Sequence, residues 1–169
     1  MSPTVVAADW IKQIADDERK RDAVRLSADE AATRKADILR SDGRRFVDEL
    51  RAAVARDVEA FRDEFAGDSA RDITVEAAEP DGGFAVRKPA PSAVFLTVDP
   101  NLQGALMICH YRFLLTGGHP PREERVELEF IGGGSETLRM RHQGTGRVFA
   151  TAAELSEFLL GSVFTGRPR

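Results

Sequence analysis

The sequence has only one cysteine, one tryptophan and one tyrosine, and it has no long apolar run. One cysteine excludes a disulfide framework and a cysteine-based zinc site. Without an apolar stretch of about 18 residues, no segment is predicted to span a membrane. The start, Met1-Ser2-Pro3-Thr4, lacks the basic-then-apolar pattern of a secretory signal, so we expect a cytoplasmic protein. A net charge of −4 gives no overall attraction for nucleic acid.

Glycine and proline are almost missing from the first 66 residues, which contain only Gly43 and Pro3 of the 14 glycines and 8 prolines in the chain. Because both residues break helices and mark turns, residues 1–66 are predicted to be helical and residues 67–169 to form strands and loops. Both parts carry the same net charge of −2, so charge alone does not distinguish them. Arginine outnumbers lysine 20 to 4, which is typical of a GC-rich bacterial coding sequence.

The first helical segment, residues 4–40, is predicted to begin near Ser2, with Pro3 in its first turn. It has one apolar turn (Trp10, Ile11, Ile14) and then a charged run in which Asp16–Lys20, Asp17–Arg21 and Glu30–Arg34 have the spacing of stabilising pairs. Its later apolar stripe is thin: Val24, Ala28, Ala31, Ala32, Ile38 and Leu39. This segment therefore has too little apolar surface to be buried all round.

Gly43 is predicted to break this helix, because glycine costs about 1 kcal/mol relative to alanine in a helix interior. A second helix, residues 44–66, has a continuous apolar face: Phe46, Val47, Leu50, Ala53, Val54, Val58, Phe61 and Phe65. We expect this face to pack on a sheet, with self-association as the other interpretation. The sequence leaves open whether helices 4–40 and 44–66 form a hairpin or one kinked helix.

The remaining chain is predicted to be an antiparallel meander, because its connections are too short for parallel crossovers. The predicted strands are Ile73–Ala77, Phe84–Lys88, Ala93–Val98, Ala105–Leu115, Arg125–Ile131, Thr137–His142 and Arg147–Ala150, separated by loops such as Pro89-Ala90-Pro91. The strand from Ala105 is the most apolar and is expected to be central. A capping box, Thr151 to Glu154, opens a C-terminal helix.

These features predict an α+β fold, with a long N-terminal helical segment broken near Gly43, an antiparallel sheet of five to seven strands and a short C-terminal helix. We expect two parts, a helical arm or hairpin over residues 1–66 and a sheet domain over 67–169. Residues 44–66 would join the sheet domain in a single globular unit.

One hairpin is specific enough to predict its register. Pairing Ile131 with Thr137 places Glu129 opposite Arg139 and Glu127 opposite Arg141 on one face. The same register pairs Phe130 with Leu138 and Leu128 with Met140 on the other face. A slip of one residue would destroy both patterns.

No catalytic or metal-binding constellation stands out. Cys109 and His110 are adjacent in a strand, so their side chains point to opposite faces and do not form a dyad. The three histidines lack metal-ligand spacing, and we expect His142 at the edge of the core and His119 in an exposed loop. The Gly132–Ser135 run precedes a strand, unlike a phosphate loop. We therefore predict no cofactor and no metal, and an enzyme is not the favoured interpretation.

Three functional hypotheses remain. The leading one is a non-enzymatic protein–protein interaction or oligomerisation module that docks through the charged helix of residues 15–40. The second is a small-ligand or enzymatic site on an open sheet face, with these candidate binding residues: His110, Arg112, Glu127, Glu129, Arg139 and Arg141. The third is weak nucleic-acid binding through the C-terminal arginines, which the lack of interleaved aromatic residues does not favour.

Overall fold

A computed structural model describes residues 6–89 and 92–169. The fold is α+β, with a long N-terminal helix, a seven-stranded antiparallel sheet and a short C-terminal helix, as predicted. The chain divides into two compact units, one ending at Asp37 and one from Ile38 to Arg169. The predicted division into residues 1–66 and 67–169 stays a prediction.

Helix α1 spans Asp9–Glu64. Its predicted start is wrong within the described residues, because Val6, Ala7 and Ala8 are not helical. The Ala8 carbonyl accepts from the amides of Ile11 and Lys12, and Asp9 places a negative charge at the positive end of the helix. Ser2 and Pro3, which were expected to begin the helix, lie outside the described residues, as do Ala90 and Pro91 of the predicted loop.

The predicted helix break at Gly43 is wrong, since α1 continues through this residue. Gly43 is buried, and a Cβ built on it would lie 2.9 Å from Cδ2 of Leu102. The glycine therefore lets the helix backbone approach the loop after the third strand. The cost of glycine in a helix is offset by this packing against Leu102 and the ring of Phe130.

The sheet is a meander in which each strand pairs with the next along the chain. All seven predicted strands are confirmed, with these bounds: β1 Thr74–Ala77, β2 Phe84–Lys88, β3 Val94–Asn101, β4 Leu106–Phe113, β5 Arg122–Gly133, β6 Glu136–His142 and β7 Val148–Phe149. The predicted central strand is β4, the fourth of seven. The sheet thus has an inner face built from alternate residues and an outer face built from the others.

The inner face forms the core together with residues 46–58 of α1 and with helix α2, Ala152–Thr165. The predicted cap is present, because the Thr151 hydroxyl accepts from the Glu154 amide and the Glu154 carboxylate accepts from the Ala150 amide. Fully buried Tyr111 donates its hydroxyl to the Leu159 carbonyl at 2.7 Å. Ser156 of α2 donates to Asp57 of α1, also at 2.7 Å. Polar contacts therefore fix α2 to both layers of the core.

The predicted register of the β5–β6 hairpin is wrong by two residues. Glu129 lies opposite Arg141 and Phe130 opposite Met140, because β5 continues into the glycine run and the turn is only Gly134-Ser135. The pairing shifts between Ile131 and Gly133, so Gly132 occupies a bulge with φ of +83°. A shift of two preserves the side-chain parity, so the predicted charged and apolar faces are both retained.

Candidate functional site

Residues 9–37 form a helical segment, hereafter the N-terminal helical segment, with large apolar side chains in solvent. The side chain of Trp10 is 67 % exposed, that of Ile14 is 54 % exposed and that of Val24 is 71 % exposed. Scattered exposed apolar residues are normal on protein surfaces, but tryptophan is enriched at protein interfaces, so an exposed tryptophan with exposed aliphatic side chains on the same helix marks this segment as a candidate contact surface.

The charged run of this segment pairs differently from the prediction. The pairs Asp16–Lys20 and Asp17–Arg21 are replaced by i,i+3 pairs, in which Asp16 binds Arg19 at 2.6 Å and Glu18 binds Arg21 at 2.7 Å. Residues three and four positions apart lie on the same helix face. An exposed charged side chain therefore changes from one of these partners to the other at little cost in free energy. Asp17 is left with a single long hydrogen bond, 3.4 Å from the Gln13 amide.

The outer sheet face contains all six residues that were predicted to form a binding site. Of these residues, the structure brings only Glu129 and Arg141 into direct contact, through a hydrogen-bonded ion pair. Glu127 binds Arg125 at 2.8 Å instead of reaching the next strand. Arg139 lies opposite Ile131. A binding role for this face stays a prediction.

His110 and Arg112 lie on the central strand β4 and share one face of it, as expected, and this face is the outer one. The register places His110 opposite Arg125 and Arg112 opposite Glu123. The Nε2 atom of His110 is 3.7 Å from the Glu123 carboxylate, and both side chains are well exposed. The acidic neighbour of His110 is therefore Glu123, which sequence reasoning did not include because β5 was expected to begin only at Arg125.

A shallow groove at one end of the outer face contains Arg112. It has a volume of about 500 Å³, and Arg87 and Phe95 also line it. The Arg87 guanidinium lies 5.1 Å from the centre of the Phe95 ring. The side chain of Arg112 has no hydrogen bond or ion pair within the described residues. The groove thus offers the cationic side chains of Arg87, Lys88 and Arg112 and an aromatic ring, and its lining contains no carboxylate and no histidine.

Two of the C-terminal arginines, Arg147 and Arg169, pack on aromatic residues of α2 and the sheet. The guanidinium of Arg169 lies 4.0 Å from the centre of the Phe158 ring, and that of Arg147 lies 5.5 Å from it. Arg169 also donates to the Phe158 carbonyl. Sequence reasoning assigned these arginines only to a basic patch, because no local pattern pairs them with a distant helix. His142 packs edge-on against Phe158, in agreement with its predicted place at the edge of the core.

Cys109 and His110 project to opposite faces of β4, as predicted. Cys109 is fully buried, and burial is the main cause that raises the pKa of its thiol from 9.0 to about 12, with a further contribution from Asp99. Burial also raises the pKa of the Tyr111 hydroxyl. A buried thiol with a raised pKa is a poor nucleophile, so Cys109 serves packing.

The raised pKa of Cys109 predicts a loss of stability at high pH. Above pH 9 the unfolded chain releases the thiol proton while the folded chain retains it, so the free energy of unfolding falls between pH 9 and about 12. Each pKa unit corresponds to about 1.4 kcal/mol. A Cys109→Ala variant should therefore show a shallower decline in urea-unfolding free energy from pH 8 to pH 10.5.

Lys88 and Tyr111 both remain in the variant, and the loss of Cys109 removes only a minor cause of the raised Tyr111 pKa, which is due mainly to burial. Tyr111 adds a loss of the same sign, while Lys88, whose pKa is lowered by burial and by Arg71, adds a gain as its ammonium deprotonates. Equal slopes for the two proteins would contradict the assignment of a buried, protonated thiol.

Neither metal ligands within the described residues nor similarity to known proteins indicates a function for this chain. Among residues 6–89 and 92–169, no three histidine, cysteine, aspartate or glutamate side chains group closely enough to bind a metal ion. None of the helices in this described part is long and apolar enough to cross a membrane. No protein-family model, no curated protein and no solved structure matches the chain.

Proposed function

We propose that this protein is a non-enzymatic self-association module that docks through its N-terminal helical segment. The observation that carries the proposal is the exposure of Trp10, Ile14 and Val24 on a charged helix. All core residues of α1 lie at or beyond Gly43, so these side chains have no part in the core of residues 38–169. An interface that covers them would gain hydrophobic stabilisation at about 25 cal/mol per Å² of apolar surface.

The charges of the segment support a second copy as the partner. Residues 9–37 contain eight acidic and seven basic side chains, in alternating blocks such as Asp16-Asp17-Glu18 and Arg19-Lys20-Arg21. A strongly basic or acidic partner would meet repulsion from one block for each attraction to another. A second copy offers the same alternation, so acidic blocks of one helix can face basic blocks of the other.

Removal of residues 1–37 should abolish association without unfolding the remaining chain. The shortened protein, residues 38–169, retains the entire core and should unfold with a midpoint temperature close to that of the full chain after allowance for dimer dissociation. Light scattering coupled to size-exclusion chromatography should give a multiple of 18.6 kDa for the full chain and a monomer mass for the shortened one.

Near-ultraviolet circular dichroism of both proteins is the control in this comparison, because it shows whether residues 38–169 remain folded. An oligomer that persists in folded residues 38–169 would show that another surface is responsible. A full chain that is monomeric at every concentration would overturn the proposal.

A further inference from the structure

One face of the N-terminal helical segment, hereafter the seam, has an N-terminal half that is complementary to its C-terminal half when the residue order is reversed. Steps of four and three residues connect these side chains: Trp10, Ile14, Asp17, Arg21, Val24 and Ala28. At about 100° per residue, all six lie within about 40° of one line along the helix. The six side chains therefore form one narrow face of the kind that packs in two-stranded coiled coils.

Arg19 lies midway between the members of three pairs in this seam: Trp10 and Ala28, Ile14 and Val24, and Asp17 and Arg21. If a second copy lies antiparallel with its Arg19 at the same level, each residue meets the other member of its pair. The largest side chain then faces the smallest, two branched aliphatic side chains face each other, and an aspartate faces an arginine.

We infer that the partner is a second copy of this chain, bound antiparallel through this seam in the register that pairs residues 10 with 28, 14 with 24 and 17 with 21. The inference rests on the proposed self-association and specifies its geometry. At each end of this interface, residue 10 of one copy faces residue 28 of the other and residue 14 faces residue 24. Two Asp17–Arg21 ion pairs lie between these apolar contacts.

Charge favours this arrangement over the parallel one. In a parallel pair in register, Asp17 would face Asp17 and Arg21 would face Arg21, which places like charges directly opposite each other. In the antiparallel pair Asp17, which lacks an arginine partner within the described residues, gains one from the second copy. The forked guanidinium of Arg21 has five donors, so it binds Glu18 of its own helix and Asp17 of the other.

Leu26 provides an internal control for the seam. It is 60 % exposed, similar to Trp10, but it lies about 160° around the helix from Trp10. It therefore faces away from the second copy in the proposed register. Substitutions at Leu26 should leave the affinity between the two copies unchanged.

Charge exchange between positions 17 and 21 tests the proposed ion pairs. In the full chain, Asp17→Arg and Arg21→Asp should each weaken self-association, measured by sedimentation equilibrium, by about tenfold or more, which is a free-energy difference of about 1.4 kcal/mol. The double variant, with both substitutions, recreates both ion pairs in reverse and should recover affinity to within about threefold of the original. A double variant as weak as the two single variants, or single variants without effect, would overturn the inference.

Disulfide trapping tests the register and direction independently of charge. Full-length Ile14→Cys and Val24→Cys proteins should each cross-link poorly alone and readily when mixed, because positions 14 and 24 meet only across an antiparallel pair. The buried Cys109 does not compete, and Leu26→Cys mixed with Ile14→Cys is the matched control. Efficient cross-linking of Ile14→Cys to itself would show a parallel pair and overturn the inference.

These outcomes separate the inference from the proposed function on which it rests. A monomeric full chain would overturn both. A full chain that associates through residues 1–37, but shows neither the charge rescue nor the 14-to-24 cross-link, would overturn the register alone.

Discussion

A Leu50→Ala variant is expected to lose about 2–5 kcal/mol of its free energy of unfolding. Leu50 is fully buried in the middle of the α1 face that packs on the sheet, within the core cluster. Truncation removes the apolar contacts of the side chain and leaves a cavity that a closely packed core closes only in part. Urea unfolding followed by far-ultraviolet circular dichroism measures the loss.

The matched control is Leu26→Ala, on the same helix and with the same chemical change. Leu26 is 60 % exposed, so this variant should stay within about 0.5 kcal/mol of the original protein. The contrast follows from the position of the core, which begins in α1 at Gly43. Equal losses for Leu26→Ala and Leu50→Ala would show that the N-terminal helical segment has a core of its own.

Gly132→Ala should also be strongly destabilising, by about 2–4 kcal/mol, because two separate costs add. Gly132 has a φ of +83°, a left-handed conformation that alanine adopts only at a cost of about 1–2 kcal/mol. A Cβ at this position would also lie 2.7 Å from the Thr137 carbonyl oxygen, which belongs to the backbone of the opposite chain segment and moves only if the hairpin opens. Thermal unfolding of the variant gives the measurement.

Gly146→Ala separates the two costs. Gly146 has a similar φ of +74°, but a Cβ there would have no neighbour within 4 Å. This variant should lose only the conformational part, about 1 kcal/mol. If both variants lose the same amount, the close approach of Gly132 to Thr137 is not a constraint on the hairpin.

The strands could be predicted from the sequence because turn chemistry punctuates the second half of the chain. Clusters such as Glu79–Gly83 and Gly144–Gly146 leave only short alternating runs between them, and a meander is the only topology that short connections allow. The bounds differ from prediction mainly at β5, which begins at Arg122 and includes Glu123, the neighbour of His110.

For the β5–β6 hairpin, the sequence could predict which side chains lie on each face of the sheet but not which residues lie opposite each other. Shifts by two residues preserve the inside and outside of every side chain, so alternation cannot distinguish Arg139 from Arg141 as the partner of Glu129. The choice depends on the glycine run. Gly132 and Gly133 adopt positive φ and extend β5 through a bulge, and the shorter turn sets the pairing.

Gly43 shows where tertiary packing overrides local propensity. The residue reads as a helix break in isolation, but the contact that explains it comes from Leu102, nearly 60 positions away. Sequence reasoning had no means to place that side chain.

The candidate surface was only partly visible in the sequence. The apolar turn at Trp10 and the thin stripe from Val24 are separate features of the sequence, because the charged residues Asp17 and Arg21 stand between them. Heptad spacing across the charged run was the signal that joins them.

The most direct test of the central claim uses Trp10, the only tryptophan of the chain, as a fluorescent probe. Trp10 is 67 % exposed in a single copy and would be covered by Ala28 and its neighbours in the antiparallel pair. We expect the emission maximum to move to shorter wavelength and acrylamide quenching to weaken as the concentration of the full chain increases, with both changes reversed in Asp17→Arg. A Trp10 that stays solvent-exposed at concentrations where light scattering gives a dimer mass would contradict the account.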